Sequence, residues 1–373
     1  MHTITFFPLG NADSFRIDLE SGKKILIDYG NEGDPDDKED KRIDLATTLR
    51  EDLDAAKRDY FDVVAFTHLD KDHICRSSEF FYLRHAQKYQ GDGRIKINVL
   101  WVPAAALLEE NLEDEARIIQ AEARFRLKEK RGIRIFSRPE RLKEWIEGQG
   151  LRFDEVSHLV TGAGKLAPEF SKNSDGIEFF VHSPFAEHVE DGALLDRNEC
   201  SLVLQATFLA ENTETQFMLS ADTAHEIWTA IVNQTKWHKN EARLNWDVFK
   251  LPHHCSYKSI GPDKGAEITE PVPEVEWLHG VQGNNGSIIV STSKPIPSDD
   301  EDEQPPHRQA ANYYRKLARL KEGEFKVTME HPTEFRPEPL VIEIGGSGAK
   351  VKKSSRGAAY VIAGQSAPRA GWI

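Results

Sequence analysis

Cysteine is scarce in this chain: Cys75, Cys200 and Cys255 are the only three in 373 residues. Three thiols cannot all pair, so a disulfide framework is excluded and a reducing compartment is the simple expectation. No stretch has the length and apolarity of a membrane span. The opening Met1-His2-Thr3-Ile4 reads directly as a strand with no basic segment before it, which predicts a cytoplasmic protein without a secretory signal. An excess of positive charge is also lacking. The net charge of −14 argues against a protein that coats nucleic acid along its whole surface. A nuclease stays open, because metal ions in a site supply local positive charge. A hydrophobic content of 39% over this length supports a substantial core, in one large domain or two smaller ones.

Chemistry concentrates in one place. The apolar run Val63-Val64-Ala65-Phe66-Thr67 leads straight into His68-Leu69-Asp70-Lys71-Asp72-His73. Burying several ionisable groups side by side is costly unless something pairs them, and a divalent metal is the usual partner. Alternate residues of an extended segment point the same way, so His68, Asp70 and Asp72 can share one face while His73 follows as the chain turns. The competing reading is an ordinary polar loop after a strand.

His68-x-Asp70-x-Asp72-His73 resembles the His-x-His-x-Asp-His signature of the metallo-β-lactamase superfamily, with Asp70 in place of the second histidine. This variant is similar to the branch that contains the C-terminal domain of ComEC-like competence DNA-uptake proteins. Phosphorylcholine esterases belong nearby. Five further segments resemble that branch in the same order. They are Phe7–Ser14, Lys24–Gly30 with its Leu-Ile-Asp-x-Gly, Asn198–Leu204, Phe217–Asp222, and Phe249–Ser256 with its paired histidines. Together the motifs cover roughly residues 3–260. The resemblance implies an αββα sandwich, two sheets packed together with helices on their outer faces.

The pattern of apolar and turn residues predicts strands at Thr3–Leu9, Ser14–Leu19, Lys24–Asp28, Val63–Thr67, Ile95–Val102, Ile177–His182, Ser201–Phe208, Thr215–Leu219, Val248–Leu251 and Pro339–Ile344. Helices are expected at Ile43–Arg58, Ser77–Lys88, Thr223–Gln234 and Arg308–Leu320. Residues 104–150 are charged and partly helical in spacing, and read as a helical insertion within a hydrolase domain spanning 1–346. Residues 298–304 form an acidic, mobile loop, and 347–373 a flexible tail.

The resemblance also implies roles. His68 and Asp70 would hold one metal, Asp72 and His73 the other, with Asp222 bridging and His254 completing the second site. Asp222 has a second reading as a helix cap. His253 would face the substrate and donate to a phosphoryl oxygen, so Asp72 and His253 are the candidate catalytic residues. The remaining ligand of the first metal is open between His182, after a strand, and Asn198. Asp13, Asp28 and Asn198 are placed around the ligands, orienting them. Ser256, Lys258 and Ser259 could contact phosphate. Asp70 hardens its site, which favours Mn²⁺, with Zn²⁺ the competitor. Cys75 and Cys255 stand where the branch usually has glycine.

These features lead to a dinuclear hydrolase of phosphodiester bonds that uses a metal-bridging hydroxide, a nuclease in the first instance. The Arg124–Lys143 segment, rich in Lys and Arg, is the candidate grip on DNA or RNA, with the basic tail a lesser one. The alternatives are a small-molecule hydrolase acting on a phosphocholine-like ester, a nucleotide or a lactone, and a binding module with a vestigial site. A long basic groove across 104–150 would favour the nuclease; a closed pocket would favour a small substrate.

Overall fold

Period-two alternation organises the architecture. In β4 (Tyr60–Ala65), Val63 and Ala65 join an apolar layer on one side, while Val64 and the following Phe66 join another on the opposite side. A strand buried on both faces needs cover on both, and the computed structural model supplies it. The structure describes residues 1–186, 197–301 and 303–353.

One sheet is built mainly from the first half of the chain: β1 (His2–Phe6), β2 (Phe15–Asp18), β3 (Lys24–Ile27), β4, β5 (Lys96–Pro103), β6 (Ile133–Phe136) and β7 (Val160–Thr161). The second contains β8 (Ile177–Ser183), β9 (Val203–Ala210), β10 (Thr213–Ser220), β11 (Trp246–Lys250), β12 (Gly283–Ser291) and β13 (Glu324–Val327). A short separate pair, β14 (Pro332–Thr333) and β15 (Arg336–Pro337), precedes β16 (Leu340–Gly345) and β17 (Gly348–Val351). These last two return to the first sheet, whose order is β17-β16-β1-β2-β3-β4-β5-β6-β7. The second runs β13-β12-β11-β10-β9-β8. Each sheet has an antiparallel part and a parallel part, and the two parts meet at β3 and at β10.

Three apolar layers fill the molecule. Ile4, Phe6, Phe15, Val63, Phe179, Phe217, Val248 and Ile342 lie between the sheets. The outer face of the first sheet packs under α1 (Leu45–Ala55), and the short α2 (Lys71–Ile74) carries Asp72 and His73. Further along that face are α3 (Asp114–Lys128) and α4 (Glu140–Gly148). The second sheet carries α5 (His225–Trp237), α6 (Pro273–Gly280) and α7 (Arg308–Leu320). Helix α1 shows why these form. Asp44 caps it by accepting from Thr47 N at 3.1 Å, and Leu45, Leu49 and Leu53 recur every four residues on its buried face. Truncating one such leucine to alanine costs about 2–5 kcal/mol. The expected αββα arrangement is the one observed.

Several details differ from the sequence reading. The helix from Ser77 stops at Phe80, because Phe81 turns extended and bridges to Ile95, burying both rings of Phe80-Phe81. The 104–150 stretch is largely helical, yet its middle is β6, an internal strand of the first sheet. Strand β17 lies within the stretch read as a tail and pairs with β16; residues 354–373 lie outside those described. In the acidic loop, Asp300 is tied to Arg308 Nη2 at 3.0 Å and Gln309 Nε2 at 2.9 Å. Among the described residues, no helix is long and apolar enough to cross a membrane.

Candidate metal centre

The site is assembled from strand ends. Asp28 follows β3, Thr67 and His68 follow β4, Asp222 follows β10, and His253-His254 follow β11. Carboxyl ends of parallel strands, next to a reversal of strand order, are where open α/β sheets gather ligands. Here two such edges face each other.

His73 Nε2 stands 3.4 Å from Asp222 Oδ1 and 3.6 Å from Asp72 Oδ2. His254 Nε2 is 3.0 Å from Asp72 Oδ2 and 3.8 Å from Asp222 Oδ2. Asp13 joins them: ligand atoms of Asp13, His73, Asp222 and His254 all lie within 4.8 Å of one another. Beside this group, His68 Nε2 is 3.4 Å from Asp70 Oδ2, and the rings of His68 and His73 are 3.9 Å apart.

The surroundings aim these side chains inward. Asp28 accepts from Thr67 N at 2.8 Å and Thr67 Oγ1 at 2.7 Å, and holds His73 Nδ1 at 2.8 Å. His254 Nδ1 donates to Thr292 O at 2.8 Å. Both imidazoles therefore present Nε2 to the cluster. Asp28 takes φ 57°, and His253, His254 and Cys255 take 49°, 52° and 67°, left-handed conformations that cost non-glycine residues roughly 1–2 kcal/mol each. Cys255 thus takes a conformation that favours glycine; Cys75, at φ −52°, does not. Gly30 does meet a steric demand, since a Cβ there would lie 1.8 Å from the Asp72 carbonyl oxygen.

The charges are strongly coupled. Burial pushes the His73 imidazole down, but Asp28, Asp72 and Asp222 overcome it and raise its pKa well above the ordinary value. Burial opposes the charged form of His254 as well, and Asp222 and Asp72 carry it up to about 9. Asp222 and Asp72 are held below the usual carboxylate range by the same histidines, against the penalty of burial.

The residues fit a divalent ion. His68 Nε2, His73 Nε2, Asp13 Oδ1 and Asp222 Oδ1 are buried and have no hydrogen-bond partner among the described residues. Buried polar atoms are rarely left so, and three of them converging at one place, with His68 Nε2 beside, suit a cation bound by imidazole and carboxylate.

Other expected residues fall in different positions. His182 is directed away from this group. On β8, Phe179 and Val181 face the inter-sheet layer, so alternation turns Phe180 and His182 to the other side. There His182 Nε2 donates to Arg243 O at 2.8 Å, beside a 510 Å³ cavity under α5, and burial lowers its pKa to about 4. Asn198 sits in the turn before β9. Its carbonyl accepts from Ser201 Oγ at 2.8 Å, and nearby Leu202 N donates to Thr67 O at 3.1 Å. His253 is half-buried next to His254, and burial lowers its pKa. Ser256 is buried and accepts from Lys258 N; Lys258 is exposed; Ser259 is buried. Asp222 makes no cap: α5 begins at His225 after Ala224.

Two participants were not assigned a role from the sequence. Lys250 is 1% exposed and its Nζ lies 2.6 Å from Asp13 Oδ2 and 2.9 Å from Ser220 O. A lysine at the end of the apolar strand Trp246–Lys250 was the available signal. Arg197 reaches Asp70 Oδ1 at 2.6 Å, for which no local pattern gave warning.

Much of the Arg124–Lys143 segment is already paired within the chain, two of its arginines in buried pairs. Arg126 is buried against Glu122 at 2.7 Å, and Arg134 is buried against Glu169 at 2.7 and 2.9 Å. Lys130 pairs with Glu155, Lys143 with Glu140, and Arg138 stacks over Phe153. A 480 Å³ cavity does adjoin the metal motif, lined by Leu69, Lys71, Ile74, Arg76, Glu115 and Arg197 among others.

No family model matches the chain, and no curated protein matches it. Among solved structures it is similar to unliganded yeast PDE1, at 10% identity over 88% of this chain and 97% of that chain, with a TM-score of 0.41. It is also similar to a diphosphatase from the PhnP family, at 11% identity over 78% of this chain and 86% of that one, with a TM-score of 0.30. For the metallo-β-lactamase SMB-1 bound to 2-mercaptoethanesulfonate, the values are 11% identity, 66% of this chain, 78% of that chain and a TM-score of 0.31.

Proposed function

We propose that the chain is a metal-dependent hydrolase of phosphodiester bonds. The observation that carries this reading is the convergence of His73, Asp13, Asp222 and His254 on one buried point, with His68 beside them and four polar atoms of this set left without hydrogen bonds. An inner position falls to Asp72, His73, Asp222 and His254, and an outer one to His68 and Asp70, two positions in all for Mn²⁺ or Zn²⁺. Bound there, divalent ions supply Lewis acidity and acidify water.

The chain's own groups do the rest. Asp72 reaches solvent more than Asp222 does, with side chains 30% and 6% exposed, and so holds and orients the attacking water. His253, kept neutral by burial, offers an N–H to a phosphoryl oxygen where charge develops. Lys250 and Asp13 hold each other beneath the ligands and fix the floor of the site.

Nucleic acid remains the substrate that the motif resemblance suggests. A specific observation favours a small phosphodiester instead: Arg126 and Arg134 of the basic segment are spent on buried pairs, and a 480 Å³ cavity adjoins the His68–His73 motif. Single-stranded DNA, duplex DNA, RNA and a chromogenic phosphodiester, each tested with Mn²⁺ and Zn²⁺, separate the two. Cleavage of the chromogenic ester alone selects the small substrate; cleavage of a polymer selects the nuclease; cleavage of none rejects the proposal.

A further inference from the structure

Asp70 is the most exposed of the motif's ligands, its side chain 35% accessible, on the turn that opens α2. It makes no capping hydrogen bond to that helix. A carboxylate so placed would swing freely unless something fixed it. Arg197 does. Its Nη1 donates to Asp70 Oδ1 at 2.6 Å and to Leu69 O at 3.3 Å. The guanidinium is itself locked from behind by Glu109, with Nε at 2.8 and 3.0 Å and Nη2 at 2.7 Å. All three of its nitrogens are engaged, so the arginine cannot rotate without breaking several charge-assisted bonds.

The consequence lies at the other carboxylate oxygen. Asp70 Oδ2 is left facing His68 Nε2 at 3.4 Å. Tetrahedral ligands with bonds of about 2.1 Å stand about 3.4 Å apart, so these two atoms have the separation one ion requires. Arg197 takes the oxygen that such an ion does not need. We propose that Arg197, backed by Glu109, is a positioning residue that presents Asp70 to the outer metal position and sets its affinity. This rests on the metal-dependent reading of the site.

Titration of the metal-stripped full chain with Mn²⁺ and with Zn²⁺, followed by calorimetry, tests it without reference to activity. The wild type should bind two equivalents. Arg197→Gln should weaken one of them about 10- to 100-fold, the size of effect typical of groups that orient ligands. The other equivalent and the melting temperature of the metal-free chain should stay unchanged. Glu109→Gln should weaken the same equivalent, by less. Two equivalents of wild-type affinity in Arg197→Gln would overturn the inference alone. Parallel loss of both equivalents with a lowered melting temperature would also overturn it, by showing a merely structural role. A single equivalent in the wild type would remove the outer position, and none at all would reject the metal reading itself.

Discussion

Asp28 Oδ2 lies 2.8 Å from His73 Nδ1, and both side chains are almost wholly buried. An ionised carboxylate only accepts, so Nδ1 must carry the proton and Nε2 must face the cluster. Asp28 is itself held by the Thr67 amide and hydroxyl, so the strand that delivers the motif also fixes the tautomer of its last histidine.

Asp28→Asn therefore removes the charge and leaves one acceptor oxygen where Thr67 N and His73 Nδ1 now use two, while keeping the shape. Metal affinity, read by competition with a chromophoric chelator, should fall about 10- to 100-fold. Unchanged affinity would mean that Asp28 serves only the turn.

The metal-free chain should lose stability between pH 6.5 and about 9. His254 has its pKa raised in the folded state, to about 9, and His73 is raised well above the ordinary value. Raised groups bind more protons folded than unfolded, so their contribution is complete below the unfolded pKa near 6.5. It disappears as pH rises through the folded value. Binding of metal requires both Nε2 atoms free of protons, so the loaded chain should lack this decline. Thermal melts across that range, with and without Mn²⁺, should diverge toward high pH; parallel curves would contradict the assignment.

Gly30→Ala should abolish metal binding. The added Cβ would lie 1.8 Å from the Asp72 carbonyl, in a ladder where Asp13 N donates to Asp72 O and Gly30 N to Asp13 O, each at 2.9 Å. Asp72 and Asp13 would both have to move. Metal analysis of the purified variant checks this, and a full complement of metal would show that the backbone yields more easily than its packing suggests.

Arg134→Glu should unfold or severely destabilise the protein, whereas Arg131→Glu should be silent. Arg134 is buried with Glu169 and His158 O, and breaking a buried pair costs roughly 3–5 kcal/mol. Arg131 is 72% exposed. Denaturant melts of both variants, with polymer cleavage by Arg131→Glu, test it. Steep loss of polymer cleavage in a stable Arg131→Glu would restore this segment as a backbone grip.

The sequence made the strand ends legible because their chemistry is local: the six residues His68–His73 after β4 carry four potential metal ligands, and the paired histidines follow an apolar strand in the same way. Strand β12 was not legible. It opens with Gly283-Asn284-Asn285-Gly286, which reads as a turn, and only three apolar residues follow at Ile288–Val290. His182 illustrates a different limit. Its strand was identified, but which face it shows depends on alternation counted from core residues such as Val181, and alternation puts its ring under α5. The basic run at Arg124–Lys143 had a composition suited to phosphate, yet the residues that neutralise it, Glu122, Glu155 and Glu169, include partners distant in the chain. Arg197 and Lys250 belong to the same class: each acts through a partner more than a hundred residues away.

The most direct test is hydrolysis of a chromogenic phosphodiester by the purified chain, before chelation, after chelation, and after Mn²⁺ or Zn²⁺ is restored. Chelation should abolish activity and restored metal recover it, with no recovery in Asp222→Ala. Hydrolysis that survives chelation, or that Asp222→Ala retains, would contradict the proposed metal dependence.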